Sequence, residues 1–241
     1  MPVKLLHVLE KDDSGQDLTR IERAVGALLP DPSAQAEILL AHGPVPKTIA
    51  RVAAEQAAAV IVVGAARFND LGDYVLGTAV DNLIRQSHSP VLVAKRRPRE
   101  PYGRILCAVD MCEPAGHALR TALRLFPKAE IVALHAYHVG FEGWQRDAYV
   151  KQETEAEARR DLDAFLAGLG LAQGDRDRLE ARIGYGNPQD VIGDEIERME
   201  PDLLVLGTHG GGGFRQATIG STASAVLEWA KPDTLVVPPP R

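Results

Sequence analysis

Four residues near the end of the chain have the types and spacing of an anion cradle: Gly207, Gly210, Gly220 and Ser221. Just upstream, Asp202-Leu203-Leu204-Val205-Leu206 reads as a short strand buried on both faces. Downstream, Ser221 to Ala230 reads as a helix that opens on hydroxyl residues. A glycine turn after a strand lets a ligand come close to the backbone. A helix start offers unpaired N–H groups and the positive end of the helix dipole. That chemistry suits phosphate, so a nucleotide is the leading ligand. His209 lies inside the glycine turn, where ligand contact and simple loop filling are equally compatible with its position.

The elements that must hold this cradle come from a duplicated chain. Ala59-Val60-Ile61-Val62-Val63-Gly64 resembles Asp202 to Gly207, and Gly77-Thr78 resembles Gly220-Ser221, both at an offset of 143 residues. Gly43 falls on Gly186 at the same offset. Leu5-Leu6-His7-Val8 resembles Ala133-Leu134-His135-Ala136 at an offset of 128, so the first copy is about 15 residues shorter between its second and third strands.

The second copy reads as βαβαβαβαβ, with strands near Arg104–Asp110, Glu130–Tyr137, Arg178–Ile183, Asp202–Leu206 and Thr234–Val237. Helices fall near Pro114–Phe126, Gln145–Leu169, Pro188–Glu200 and Ser221–Ala230, the third capped by Asn187 with proline at its first position. Strict alternation predicts an α/β fold with a parallel sheet covered on both faces, and ligands of such sheets bind at the carboxyl ends of strands. The first copy starts at the counterpart of the second strand, Val3–Leu9, with nothing to match Arg104–Asp110 and its helix. Two readings stand: a degenerate half-sheet leaning on the second copy, or a start inside a longer gene. The expected organisation is an incomplete repeat over 1–97, a linker over 98–103 and a complete repeat over 104–241; Lys95 to Pro101 reads as a charged, proline-containing connection.

Composition removes several classes of function. With 45% hydrophobic and 25% charged residues, the chain has an ordinary globular composition. A net charge of −6 gives no electrostatic support to nucleic-acid binding. No leader pattern and no membrane-spanning apolar run is visible, so a cytoplasmic location is expected. Cys107 and Cys112 match neither a zinc nor a redox spacing and read as small hydrophobes. His135 and His138 fall on opposite faces of a strand, which argues against a shared metal, and no metal site is expected. There is no G-x4-G-K-[ST] and no G-x-S-x-G, so neither a P-loop nor a nucleophile elbow is present.

The combined pattern resembles a tandem universal stress protein, whose nucleotide-binding members carry G-x2-G-x9-G-[ST]. Gly207, Gly210, Gly220 and Ser221 match every fixed position, with Ala108-Val109-Asp110, Leu134-His135 and Gly186-x-Pro188 as supporting marks. The resemblance implies two flavodoxin-like, adenine-nucleotide α-hydrolase-like repeats. It also implies ATP, with Mg²⁺ as an optional companion, across the carboxyl ends of the first, second and fourth strands. On that reading Ala108, Val109 and Asp110 flank the adenosine, with the Asp110 carboxylate near ribose or metal. Ala136 gives a backbone contact to adenine. Gly207, His209 and Gly210 line the ribose and phosphate path, while Gly220, Ser221 and Thr222 hold phosphate oxygens. One departure is the run Gly211-Gly212-Gly213 where many relatives place arginine; Arg215 is the nearest cation. In the first copy Arg67 replaces the second glycine, Asn69-Asp70 replace small residues, and the wall equivalent to Val109-Asp110 is missing, so no ATP is expected there.

The leading expectation is a non-enzymatic, ATP-binding stress-response module with no catalytic residue, since no general base accompanies Asp110. The alternatives are a nucleotide-independent protein-interaction scaffold and, further off, a slow ATP-hydrolysing enzyme. Protein partners are expected. The resemblance also implies pairing of fifth strands, Val91-Leu92-Val93 with Leu235-Val236-Val237, either inside one chain or in a homodimer.

Overall fold

A computed structural model of the chain describes residues 2–9, 18–27, 29, 36–65, 78–97, 100–138, 148–208 and 219–240. The first repeat contributes β1 (Val3–Leu9), α1 (Leu18–Gly26), β2 (Ala36–His42), α2 (Val45–Glu55), β3 (Ile61–Gly64), α3 (Thr78–Gln86) and β4 (Val91–Ala94). The second contributes β5 (Arg104–Ala108), α4 (Glu113–Leu125), β6 (Glu130–Tyr137), α5 (Ala148–Gly168) and α6 (Gln173–Arg176). It continues with β7 (Leu179–Tyr185), α7 (Pro188–Met199), β8 (Leu203–Gly207), α8 (Ser221–Trp229) and β9 (Asp233–Val237). The sequence pattern finds every one of these second-repeat elements except the single-turn α6. The first strand stops two residues early, leaving Val109 and Asp110 just beyond it.

Seven strands form one sheet in the order β3-β4-β9-β8-β5-β6-β7, and β1 pairs with β2 in a separate two-stranded sheet. All neighbours run parallel except β4 and β9. Strands such as Leu203–Leu206 are apolar throughout because helices cover both faces, so neither side may be polar. On one face lie residues of α2, α3, α7 and α8, including Ala53, Leu83, Ile192 and Val226. On the other lie those of α4 and α5, including Leu119 and Leu162. The first core is shared by both repeats, because β3 and β4 extend the second repeat's sheet.

The central strand explains the split. In the second repeat β5 sits between β8 and β6. Their counterparts, β3 and β1, have no strand between them among the described residues and end in different sheets. Val62 is accordingly 61% exposed where its counterpart Val205 is fully buried, and Val3 is 61% exposed against 1% for Ile131. The repeat survives at backbone level elsewhere: Gly43 has φ +134 and Gly186 has φ +139. Only glycine takes that conformation without strain, which is why both positions hold it.

Candidate functional site

The site begins with the place where the second sheet reverses direction. From β5 the chain steps outward to β6 and β7, then returns to place β8 on the other side of β5. Ligands of open parallel sheets bind outside the carboxyl ends of strands at such a switch point. Ala108, Ala136 and Gly207 all lie at the carboxyl ends of the three adjacent strands β5, β6 and β8.

The segment after β5 is held firmly. Val109 N–H donates to Leu134 O at 2.9 Å, and Val109 is buried. His135 Nδ1 lies 2.9 Å from Val109 O. A carbonyl can only accept, so that nitrogen carries the proton and the ring is a satisfied strand histidine. Asp110 is exposed, and its Oδ1 accepts from Cys112 N–H at 3.2 Å around Met111, whose φ is +61. Ala136 is half-buried and stands opposite Gly184 of β7. Beyond it, Tyr137 and Tyr185 meet edge to face with centroids 5.6 Å apart, closing the β6–β7 side.

The cradle itself is built on a residue that the glycine motif passes over. Thr208 is buried, its N–H donates to Val237 O at 3.0 Å, and its carbonyl accepts from Gly220 N–H at 2.7 Å. This clasp brings the start of α8 beside the end of β8. In this structure the Gly220 N–H is taken by Thr208 O. Ser224 N–H donates to Gly220 O as the first bond of α8. Helix geometry therefore leaves the N–H groups of Ser221, Thr222 and Ala223 without intrahelical acceptors. Ser221 is exposed and Thr222 half-buried. A Cβ on Gly220 would sit 3.6 Å from Thr208 O, an ordinary contact, so the glycine is not sterically obligatory. His209 and Gly210 lie outside the described residues, as do Gly211 to Gly213, Arg215, Arg67, Asn69, Asp70 and Gly77.

Other chemistry-bearing groups are accounted for structurally. Burial pushes the Cys107 thiol up to about 12. Burial, with the Asp110 carboxylate beside it, pushes Cys112 up to about 11, so neither is a reactive thiolate near neutrality. Among the described residues no three histidine, cysteine or acidic side chains group as a metal site. No helix among them is long and apolar enough to cross a membrane.

A cleft of about 480 Å³ lies at the opposite, amino-terminal end of the strands, between Arg104, Glu130, Arg178, Arg182 and Arg198. Its cations have structural work: Arg178 donates to Leu123, Phe126 and Ala129 carbonyls and to Asp175. Arg182 and Arg198 both bind the buried Glu195 carboxylate. These bonds neutralise a buried acid and leave little to recognise an anion.

Comparison with known proteins shows the family and the fold. The model of the universal stress protein family matches residues 2–95 and 101–238. Universal stress protein E of Salmonella typhi is 28% identical over 196 residues, covering 74% of this chain and 61% of that protein. Universal stress protein Rv1996 of Mycobacterium tuberculosis is 26% identical over 216 residues, covering 81% and 63%. The chain thus spans less than two thirds of the length of these relatives. Among solved structures, a functionally unknown protein from Pseudomonas aeruginosa PAO1 superimposes with a TM-score of 0.71 at 20% identity, covering 98% of this chain and 82% of that one. A universal stress protein from Archaeoglobus fulgidus gives 0.68 at 18% identity, covering 98% and 87%. These two share the fold.

Proposed function

Because the chain belongs to the universal stress protein family, we propose that its second repeat binds ATP and that the protein acts as a non-enzymatic regulatory module of the stress response. The observation that carries this reading is the convergence of β5, β6, β8 and the start of α8 at one topological switch point. Adenosine would lie over Ala108, Val109 and Ala136, with Asp110 toward the ribose or an accompanying Mg²⁺. Phosphate oxygens would take the N–H groups of Ser221 and Thr222 and their hydroxyls. His209 and Gly210, which follow Thr208 in the sequence, would complete the phosphate path. The first repeat carries Arg67 where the second has Gly210, so one ATP per chain is expected.

Ser221→Pro tests this directly. Proline is well suited to the first helical position, and Gly220 already has the extended φ −55, ψ 148 favoured before proline. The variant removes an N–H and a hydroxyl while keeping α8. Calorimetric titration should show ATP affinity lower by about tenfold or more, as for loss of hydrogen bonds to a charged group. Unchanged affinity would remove Ser221 from the site. A nucleotide-independent scaffold is the second reading; it draws on Gly220 N–H being satisfied within the protein itself.

A further inference from the structure

Lys95, one residue beyond β4, is only 3% exposed. Its Nζ donates to Leu227 O at 3.0 Å and Ala230 O at 2.6 Å, the last carbonyls of α8. Around it, Lys95 N–H and Arg96 N–H donate to Asp233 Oδ1 at 2.7 and 2.9 Å, and Tyr102 OH donates to Asp233 Oδ2 at 2.7 Å. A cation from the first repeat thus caps the negative end of a second-repeat helix, backed by a carboxylate at the start of β9. Burial pushes the Lys95 amine down to about 8 against the pull of Asp233, so the contact is held at a cost in solvation.

The two repeats meet about a local two-fold axis, since Leu92 pairs with its own counterpart Leu235. That symmetry asks for a mirrored clamp on α3. The residue mirroring Lys95 is Pro238, and the one mirroring Asp233 is Pro90. Pro238 has neither amine nor N–H, and Pro90 has no carboxylate. Among the described residues the clamp therefore exists on α8 and not on α3. α8 is the helix whose other end carries Ser221 and Thr222, whereas the sequence leading into α3 carries Arg67 at the second glycine position.

Building on the ATP reading above, we infer that Lys95 is a positioning residue lent by the first repeat to the second repeat's phosphate cradle, so that nucleotide occupancy and docking of β4 on β9 reinforce each other. α8 has nine residues, about 13 Å of helix, so its ends move as one rigid piece. An anion that orders the first turn also orders the carbonyls that Lys95 binds. By linkage, a β4 that is well docked must raise ATP affinity by the same factor.

Hydrogen exchange on the full chain, with and without ATP, tests this in the unaltered protein, Lys95→Met and Lys95→Arg. In the unaltered protein, ATP should slow exchange about fivefold or more in both 221–224 and 91–96, with β2 as a reference that changes less. Lys95→Met should lose the 91–96 response and bind ATP about fivefold more weakly, and Lys95→Arg, which keeps a cation, should restore both. Protection of 221–224 without 91–96, slowing of β2 by the same factor, or Lys95→Met binding ATP at full affinity would overturn the inference while leaving ATP binding intact. If ATP protects neither segment, the ATP reading itself fails and the coupling falls with it. Should Lys95→Met not fold, the unaltered protein's exchange pattern decides.

Discussion

Leu92 of the first repeat stands directly opposite Leu235 of the second, and the two residues occupy the same position in their repeats. Val91 pairs with Val236 and Val93 with Thr234, so the antiparallel contact is symmetric about that leucine pair. This antiparallel pairing joins the two repeats within one chain. It also fuses β3 and β4 to the second sheet, so a single core crosses the junction. Leu235→Ala should therefore cost about 2–5 kcal/mol, the usual range for a fully buried leucine. Urea unfolding followed by tryptophan fluorescence and by circular dichroism should give one coincident transition. Separate midpoints would mean that the repeats unfold independently.

The two glycine classes should respond oppositely to alanine. Gly186→Ala places a side chain at φ +139 and should lose at least about 1 kcal/mol. Gly220→Ala meets only an ordinary contact at φ −55 and should stay within about 1 kcal/mol of the parent. Thermal melts of the two variants check this, and a collapse of Gly220→Ala would show a tighter approach of α8 to Thr208 than described.

The uncovered face of the first repeat sets a third expectation. Val62→Thr should change stability by no more than about 0.5 kcal/mol, because Val62 is largely exposed. Val205→Thr buries a hydroxyl among apolar neighbours and should cost about 1–3 kcal/mol. Denaturant midpoints compare the pair; equal costs would mean that something covers Val62 as α4 covers Val205.

Stability should pass through a maximum near pH 9. The Lys95 amine sits at about 8 when folded against 10.5 when unfolded. Above pH 8 the unfolded chain therefore holds a proton that the folded chain has lost, and stability rises with pH, by roughly 1 kcal/mol per unit at most. Above pH 9 the order reverses: Cys107 and Cys112 ionise in the unfolded chain but stay protonated when folded, up to about 12 and about 11. Tyr102, raised by burial and by Asp233, acts in the same direction above pH 10. Melting temperatures across pH 7 to 11 check the shape, and Lys95→Met should lose the rising limb. A rising limb that persists in that variant would assign it to another group.

How much of this was legible in the sequence depends on range. β5, β6, β8 and β9 were readable because burial on both faces leaves apolar runs, whereas β7 at the sheet edge has no fully buried residue. Asn187-Pro188 marked a helix start that Asn187 Oδ1 caps by accepting from Gln189 N–H. Gly43 and Gly186 were readable as equivalents because a positive φ admits little else. The Thr208 clasp was hidden, since a buried threonine after the first glycine has no distinctive spacing. Lys95 was read as part of a charged connection, whereas it is buried beneath α8 by partners more than 130 positions away. Local composition carries no trace of such a contact. The remaining positions of the glycine motif fall within 209–218, which lie outside the described residues.

The most direct measurement is nondenaturing mass spectrometry of the purified chain equilibrated with ATP. The account predicts one bound ATP per chain, lost or strongly reduced in Ser221→Pro. No bound nucleotide would contradict the cradle at Gly207 to Thr222, and two ATP per chain would contradict the asymmetry between the repeats.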